Sequence, residues 1–484
     1  MKREKFTILH SNDIHGDFLS ESGPAHEDAL GGLALLSGYI NKVRKEEKNV
    51  LYVVSGDMVQ GSLIDSEYKG ISTVEIMNYL APDVVSLGNH EFDYGLPHLL
   101  FLEKMANFPI VNSNLYIKKY YKRLMKPFHI IEKAGLSIMF IGIITEKILD
   151  SLKGDSLVGS FITLEEASSE VGKITDSYKN DDIDLTVLLT HIGHESDIEL
   201  AKMLRPEWGV DMIIGGHSHT VLSEPARVNN ILIAQAGVGS DHIGRFDITV
   251  DDDTNSIVDY KWRLVDIKGG IAEPDLALSQ YIKSYKDIID RKYNSLICRL
   301  VGEATHPQRE VETSLGNLIA DAFAEIAECD IMLVGSGSIR AKSLGPMVTL
   351  GDVQRCFPYD DSLNRFEING KQLRKIFRHI MRPENRNSEG ECYQVNSGVK
   401  AVYSAGELEL SVGGKPVSDS GFYRICMQGY HMNNCKPYLD ISLEELRESG
   451  KSKVVSTSAQ GVLQEYLSTR QNLAPKLEGR LAYS

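Results

Sequence analysis

Short apolar runs that alternate with amphipathic helical segments dominate the first half of this 484-residue sequence. Residues 6–9, 51–54 and 83–87 have the length and composition of buried strands, whereas residues 32–47 and 71–80 have helical spacing. Strands that are apolar throughout and separated by helices indicate βαβ units with a covered sheet. The pattern therefore predicts an α/β (α+β) fold. A polar turn at residues 251–255 joins two alternating strands and adds a hairpin.

Composition and charge exclude several classes of protein. The length predicts two or three domains, at about 150 residues per domain. The net charge is −15, whereas proteins that bind nucleic acids carry basic faces, so no nucleic-acid partner is expected. The longest apolar run, residues 136–144, is too short for a bilayer, which needs about 20 residues. Polar residues at positions 12, 13 and 15 interrupt any signal-peptide core. We therefore expect a cytoplasmic protein without a membrane partner.

Five polar clusters each follow a predicted strand. In α/β sheets the carboxyl ends of the strands face the ligand crevice, so clusters that are scattered along the chain can converge on one site. The clusters lie at residues 10–15 (HSNDIH), 55–57 (SGD), 88–93 (GNHEFD), 190–194 (THIGH) and 215–219 (GGHSH).

The clusters contain Asp, Asn and His but no Cys. Oxygen and imidazole donors suit Mn²⁺, Fe²⁺, Co²⁺ or Zn²⁺ in an open, catalytic geometry. Seven donors are too many for one ion that keeps a water position free, so two ions that share one carboxylate are the economical arrangement. Such a pair suits phosphate-ester hydrolysis, whose acceleration of up to about 10²¹-fold far exceeds the 10² to 10⁴ that one general acid or base supplies.

In their order and content, the clusters resemble the motifs of calcineurin-like metallophosphoesterases. The whole chain, from about residue 6 to residue 481, resembles the 5′-nucleotidase family. The resemblance implies an N-terminal β-sandwich metallophosphoesterase domain flanked by helices at residues 1–270. It also implies a linker helix at 271–300 and a smaller α/β C-terminal substrate domain at 301–484.

The resemblance also assigns roles to the residues of the clusters. His90 would be the catalytic histidine, and Asp93 would orient it. His10 and Asn12 would support the ligands without binding metal, and Glu91 would have a solvated or capping role. The implied ligands of one metal are Asp13, His15, Asp57 and His219, and those of the other are Asp57, Asn89, His191 and His217, with Asp57 bridging.

In the second half, the resemblance implies four substrate residues. Arg309 and Arg340 would hold charged groups, and Tyr359 and Tyr430 would stack on the base. Two departures from the family pattern affect this site. Gly335 replaces the Asn of the family's NGGGIR loop, and the segment 434–437 (NCKP) replaces its GGDG segment. Lys436 stands near the lost Asp, so we hypothesise that it contacts an additional anionic group.

The sequence thus predicts a metal-dependent phosphoric ester hydrolase that acts on nucleotides in nucleotide catabolism. Two divalent ions (Mn, Zn, Fe or Co) would be its cofactors, a metal-bridging hydroxide its nucleophile, and a small nucleotide or related phosphate ester its partner. The alternatives are a nucleotide-sugar or 2′,3′-cyclic nucleotide phosphohydrolase, a thiosulfate-handling enzyme, and a metal-bound nucleotide-sensing module. Base preference, phosphate number, native metal and oligomeric state stay open.

Overall fold

The structure is a computed structural model. It describes residues 3–19, 30–117, 120, 122–145, 160–161, 163–178, 181–386, 390–448 and 452–483. The chain forms two compact units, Met1–Ile289 and Asp290–Ser484. Each unit contains its own sheets and its own hydrophobic core.

The first sheet of the first unit is built on the strand Arg3–Asn12, which is buried from Phe6 onwards. This strand pairs in parallel with Val50–Ser55 and antiparallel with His242–Asp251. The predicted hairpin is present, since His242–Asp251 pairs antiparallel with the next strand, Ser256–Asp266. The order of strands in the sheet is Ser256–Asp266, His242–Asp251, Arg3–Asn12, Val50–Ser55, Val84–Ser86 and Ile110–Val111.

The second sheet is built on Leu185–His191, a strand that is buried at every position. It pairs in parallel with Leu136–Ile144 on one side and with Val210–Ile214 on the other. Parallel strands of this kind need both faces covered, which explains why they are apolar throughout. The order of strands is Ala226–Val228, Ile231–Ala234, Val210–Ile214, Leu185–His191, Leu136–Ile144 and Phe128–Lys133, and a small separate sheet contains Lys122–Arg123, Leu115–Ile117 and Ser160–Phe161.

The two large sheets pack face to face. Phe6 and Ile8 of the first sheet share one core with Phe140 and Val187 of the second. Helices cover the outer faces, as the core between the second sheet and its two helices shows. A β-sandwich flanked by helices confirms the predicted fold class. The helices of this unit are Leu33–Glu46, Leu63–Tyr68, Ile71–Leu80, Leu96–Met105, Leu164–Ser177, His194–Met203 and most of Leu276–Tyr293, and the short 3₁₀ helices are His90–Phe92 and Pro206–Trp208.

The helix Leu276–Tyr293, which lies within the predicted linker helix at 271–300, is attached to the first unit by two tyrosines. The hydroxyls of Tyr281 and Tyr285 both donate hydrogen bonds to Glu75 Oε2. Its role as a linker stays a prediction. Within the part of the chain that the structure describes, no helix combines the length and apolar character needed to cross a bilayer.

The second unit contains a five-stranded sheet with helices on both faces. Met332 and Val334 of the strand Ile331–Gly335 contribute to one core, and Ile331 and Leu333 contribute to the other, as the period of two in a strand requires. The order of strands is Tyr393–Val395, Ile331–Gly335, Phe422–Gln428, Leu363–Asn369 and Ser452–Ser456. A four-stranded sheet contains Lys415–Pro416, Glu407–Val412, Val399–Ser404 and Leu481–Tyr483.

Two short strand pairs and several helices complete the second unit. Leu296–Arg299 pairs with Met347–Thr349, and Ala304–Thr305 pairs with Ser343–Leu344. The helices are Ser314–Ala327, Leu350–Cys356, Gly370–Ile380, Gly429–Asn433, Cys435–Leu439, Leu443–Arg447 and Ala459–Ser468, and the 3₁₀ helices are Ser336–Ser338 and Pro383–Arg386.

Arg480 joins the C-terminal strand to the helix Ser314–Ala327, and its loss is expected to destabilise the second unit. Its guanidinium donates two hydrogen bonds to Asp321, at 2.9 and 2.7 Å, and one to the Val395 carbonyl at 2.8 Å. Arg480 is buried and Asp321 is 29% exposed, so loss of the guanidinium leaves a partly buried carboxylate and a buried carbonyl without a partner, at a cost of about 3 kcal/mol. Arg480→Met should therefore lower the midpoint of thermal unfolding by about 6 to 12 °C. The exposed control Arg378→Met should change it little, and equal midpoints for both variants would contradict this role.

Candidate active site

The seven predicted ligands lie at, or in the loops just after, the carboxyl ends of strands from both sheets of the first unit. The loops contact one another directly. Ser55 Oγ donates a hydrogen bond to the Ile214 carbonyl at 2.7 Å, and His191 Nδ1 lies 2.9 Å from the Ser55 carbonyl oxygen. The ends of the two sheets therefore meet at one edge of the sandwich and bring all five clusters together.

The donor atoms form two main groups that lie next to each other. One group contains Asp13, His15 and His219, and the other contains Asp57, His191 and His217, with one donor atom of each member within 4.8 Å of the others. Asp57 also groups with His15 and His90. Distances between donor atoms include 3.4 Å from His219 Nε2 to Asp13 Oδ1, 3.8 Å from His15 Nε2 to Asp57 Oδ2, and 2.8 Å from His217 Nδ1 to Asn89 Oδ1.

The donor set fits divalent cations. Nε2 of the fully buried His191 has no hydrogen-bond partner among the described residues, although Asp57 Oδ2 lies 3.0 Å away. A cation between an imidazole and a carboxylate satisfies both groups, whereas an unpaired buried nitrogen is costly. The absence of Cys and the presence of Asn89 suit ions that prefer oxygen and imidazole donors.

Five of the predicted ligands have left-handed backbone conformations. The φ angles of Asp13, His15, Asp57, His217 and His219 are 50°, 51°, 51°, 79° and 53°. This conformation costs an L-residue roughly 1 to 2 kcal/mol. Such strain persists where the surrounding structure imposes it, and it is concentrated at ligand sites and active sites. These backbone conformations therefore lower the stability of the chain and direct the five side chains towards one point.

Glu91 was expected to have a solvated or capping role. It is buried, so the solvated alternative is wrong, whereas its bonds to backbone N–H groups are of the capping kind. Its carboxylate accepts hydrogen bonds from the backbone N–H groups of Asp57 (3.0 Å), Met58 (2.7 Å) and Gly88 (2.6 Å). Burial and the charge of Asp57 raise the pKa of Glu91 to about 7. Glu91 thus joins the loop that carries Asp57 to the loop that carries Asn89.

Two further buried residues hold the loops in place. Asp197 accepts hydrogen bonds from Thr190 Oγ1 (2.6 Å) and Gln235 Nε2 (3.0 Å), and burial raises its pKa to about 7. Asn12 donates to Asp13 Oδ2 at 2.7 Å, so it contacts a predicted ligand as expected. Asp197 gave no signal in the sequence, because a carboxylate in the first turn of a helix is ordinarily a solvent-exposed cap.

His10 does not support the ligands, contrary to the prediction. Its ring stacks on Trp262 with a centroid distance of 5.5 Å, and neither ring nitrogen has a hydrogen-bond partner among the described residues. Burial lowers the pKa of His10 to about 3, so the ring is neutral. His10 is therefore a core residue of the sandwich.

His90 and Asp93 lie at the rim of the donor groups. His90 Nδ1 is 2.7 Å from Asp93 Oδ2, and this hydrogen bond raises the pKa of His90 above its ordinary value against the opposing effect of burial. The His90 backbone N–H donates to Asp57 Oδ1 at 2.9 Å. The imidazole is about one-third exposed, so it can contact a bound molecule.

The second unit contains a cavity of about 660 Å³ that all four predicted substrate residues line. The guanidinium of Arg340 lies 5.5 Å from the centroid of the Tyr359 ring. Tyr359 and Tyr430 are 46% and 54% exposed, so about half of each side chain is accessible to a ligand. The cavity is lined by Arg309, Gly337, Ser338, Arg340, Tyr359, Asp361, Glu391, Gln428, Tyr430, His431 and Asn433.

The structure adds Asp361 to this cavity and does not place Lys436 in its lining. Asp361, which the sequence analysis did not single out, accepts a hydrogen bond from the Tyr430 backbone N–H at 2.6 Å and so fixes that aromatic residue. Lys436 is not among the residues that line the cavity. Its ammonium pairs with Asp440 Oδ1 at 3.0 Å instead. The hypothesis that Lys436 contacts an anionic group of the ligand therefore lacks structural support.

Two family models match the chain. The model for calcineurin-like phosphoesterases matches residues 6–221, and the model for the 5′-nucleotidase C-terminal domain matches residues 299–440. The snake venom 5′-nucleotidase of Naja atra is 27% identical over 445 residues, which cover 82% of each chain. The endonuclease YhcR of Bacillus subtilis is 29% identical over 409 residues. The match covers 78% of this chain but only a third (33%) of that protein.

Solved structures agree with the family models. The 5′-nucleotidase precursor of Thermus thermophilus superposes with a TM-score of 0.61 over 99% of both chains, at 24% sequence identity, and so supports the fold.

The predicted cytoplasmic location is wrong. The relatives of this chain include a snake venom 5′-nucleotidase, which points away from the cytoplasm.

The family comparison distinguishes between the functional alternatives. Calcineurin-like phosphoesterases imply divalent metal ions, and the donor groups around Asp57 supply matching ligands. The phosphoesterase match and the 5′-nucleotidase relatives indicate an enzyme and not a sensing module. The chain therefore belongs to the 5′-nucleotidase family, with an N-terminal calcineurin-like phosphoesterase domain and a 5′-nucleotidase C-terminal domain, and it is a phosphoric ester hydrolase.

Proposed function

We propose that this chain hydrolyses phosphate from nucleotides with two divalent metal ions held by the seven donors. The observation that carries the proposal is the position of Asp57, whose carboxylate lies within reach of donors from both groups. Asp13, His15, Asp57 and His219 would hold one ion, and Asp57, Asn89, His191 and His217 the other. Bound there, the ions supply the hydroxide nucleophile near neutral pH and neutralise charge on the phosphoryl oxygens.

In this proposal His90 stabilises the phosphoryl group during its transfer. Its Nδ1–H donates to Asp93, so Nε2 can donate to a phosphoryl oxygen only when the ring is protonated at both nitrogens. Because Asp93 raises the pKa of His90, it favours the protonated ring, which would place positive charge where negative charge develops. Asp93 is a positioning residue, and Glu91 and Asp197 hold the loops that present the donors.

Residues 301–484 bind the nucleotide in this proposal, residues 1–270 carry the chemistry and residues 271–300 link them. Arg309 and Arg340 would bind anionic oxygens, and Tyr359 and Tyr430 would stack on the base. The support is that these four side chains line one cavity whose two aromatic rings are half exposed. Stacking tolerates every base, so a broad preference among bases is expected.

The test is phosphate release by the full chain after chelation and after readdition of Mn²⁺ or Zn²⁺. The panel contains nucleoside mono-, di- and triphosphates, 2′,3′-cyclic nucleotides, nucleotide sugars, 4-nitrophenyl phosphate and an oligonucleotide. We expect metal-dependent hydrolysis with the highest kcat/KM on nucleotides, and two ions per chain by elemental analysis. Highest activity on cyclic nucleotides or nucleotide sugars would select those alternatives. Activity that survives metal removal would refute the proposal.

Removal of either stacking ring is expected to weaken nucleotide binding. Tyr359→Leu and Tyr430→Leu should each raise KM for nucleoside monophosphates about 5- to 150-fold, because stacking is worth about 1 to 3 kcal/mol per base. Ribose 5-phosphate, which lacks a base, should be hydrolysed unchanged. Phe422→Leu is the matched control, since Phe422 is exposed but does not line the cavity. Equal losses on ribose 5-phosphate and nucleotides would contradict a stacking role.

A further inference from the structure

Gly335 is a glycine for reasons of space. Its φ and ψ angles, −59° and 123°, are open to any residue, so the backbone does not require glycine here. A Cβ at this position would lie 2.3 Å from both Cε1 and Nε2 of His431 and 2.9 Å from Glu391 Oε1. Two side chains, His431 and Glu391, thus occupy the space that the Asn of the family motif would need at position 335.

His431 and Glu391 form a pair in the wall of the cavity described above. His431 Nε2 lies 3.3 Å from Glu391 Oε1, and the imidazole and carboxylate side chains are 1% and 16% exposed. The rings of Tyr393 and Tyr430 contact His431 edge to face at 5.2 and 5.3 Å. The second ring nitrogen, Nδ1, is buried and has no hydrogen-bond partner among the described residues. Glu391 is therefore the polar partner that this imidazole meets.

The carboxylate faces the part of the cavity that also holds the cationic residues. A Cβ on Gly337 would lie 3.7 and 3.8 Å from the two oxygens of Glu391, so both oxygens lie beside the glycine-rich turn that precedes Arg340. Arg309 donates a hydrogen bond to the carbonyl of Gly390, the residue before Glu391. A cation and an acceptor thus stand close together on one wall, which suits a molecule with an anionic end and a neutral donor end.

Charge decides which end of a nucleotide meets Glu391. An ionised carboxylate accepts hydrogen bonds but donates none, and it repels phosphate oxygens. Its ligand partner is therefore an N–H or O–H group of the nucleoside. We propose that Glu391 is a specificity-determining residue that accepts hydrogen bonds from nucleoside donors, with His431 as its positioning residue. This inference rests on the proposed nucleotide substrate. The donors are base N–H groups or sugar hydroxyls, which share this chemistry.

The test compares kcat/KM of the wild-type enzyme and Glu391→Gln across substrates that differ in donors. The panel contains AMP, IMP, GMP, their 2′-deoxy forms and 4-nitrophenyl phosphate, which has no donor outside its phosphate. Hydrogen bonds to charged groups are among the stronger ones. We therefore expect a 10- to 100-fold loss on the substrates that donate to Glu391, with 4-nitrophenyl phosphate within twofold. Glu409→Gln, at an exposed strand position, is the matched control.

The pattern of losses identifies the donor. A loss confined to ribonucleotides assigns the contact to the 2′-hydroxyl, and a loss that follows the base in both sugar series assigns it to base N–H groups. His431→Gln should raise KM for the same substrates with kcat unchanged. It should add little to Glu391→Gln, because residues that act through one contact are not additive.

Three results overturn the inference. Ratios of nucleotide to 4-nitrophenyl phosphate hydrolysis that Glu391→Gln leaves unchanged would remove it while leaving the nucleotide function intact. An equal loss on every substrate, including 4-nitrophenyl phosphate, would show a structural role only and would also remove it. A wild-type enzyme without preference for nucleotides would refute the proposed function and this inference together, and the wild-type panel alone reveals that case.

Discussion

Replacement of Asp57 by Asn is expected to reduce kcat/KM more than 10⁴-fold and to lower the metal content of the chain. Asp57 is the carboxylate that the proposal assigns to both ions, and its Oδ2 lies 3.0 Å from His191 Nε2 and 3.8 Å from His15 Nε2. One general acid or base contributes about 10² to 10⁴, so loss of the metal pair must cost more than that. Asparagine keeps the shape of the side chain but removes the charge that both ions need.

Elemental analysis and activity must change together for this prediction to hold. Both are measured on the same protein samples, with thermal unfolding as a check on folding. Asp259→Asn, at an exposed strand position, is the matched control and should keep both metal content and activity. Two ions per chain in Asp57→Asn with normal turnover would refute the assignment of Asp57 as the shared ligand.

Much of the first unit follows from local pattern. The strands were predicted from apolar runs, and the convergence of five clusters follows from the rule that parallel strands end at one edge. The sequence could place Asp13, Asp57 and His191 at that edge because each ends a buried strand or follows it within two residues. The assembly of these runs into two facing sheets came from the resemblance and not from the periodicity.

For His10, the two-residue periodicity of a strand predicts the position of the side chain better than the surrounding motif does. Phe6 and Ile8 belong to the core between the sheets, and side chains two residues apart share a face. His10 therefore continues that face and stacks on Trp262. Its place in a polar cluster suggested a role beside the metal ligands, but strand geometry outweighs the polarity of its neighbours.

The contacts of the buried carboxylates could not be predicted from the sequence. Glu91 accepts hydrogen bonds from backbone groups of two different loops, and no residue pattern encodes backbone N–H groups that lie far away along the chain. The same holds for Gly335, whose missing side chain makes room for His431 and Glu391. Each of these features depends on tertiary contacts between segments that are well separated in sequence.

Substitution of His90 by Asn is expected to reduce kcat about 10²- to 10³-fold while both ions stay bound, since one stabilising donor in an active site is worth that much. His90 lies at the rim, with Nδ1 held by Asp93 at 2.7 Å. Asp93→Asn should cost less, about tenfold, because it changes only the orientation and charge of the imidazole. The measurements are kcat with a nucleoside monophosphate and metal content for each single variant and for the double variant.

The double variant separates catalysis from simple packing. If Asp93 acts through His90, adding Asp93→Asn to His90→Asn should cost almost nothing further, because residues that act as a unit are not additive. Fully additive losses would mean that the two side chains act independently. Loss of metal from His90→Asn would make His90 a ligand and not a donor to the phosphoryl group. If His90 donates a hydrogen bond to the phosphoryl group and Asp93 positions it, His90→Asn should keep its metal and lose much of its kcat. The double variant should then have the same kcat as His90→Asn alone.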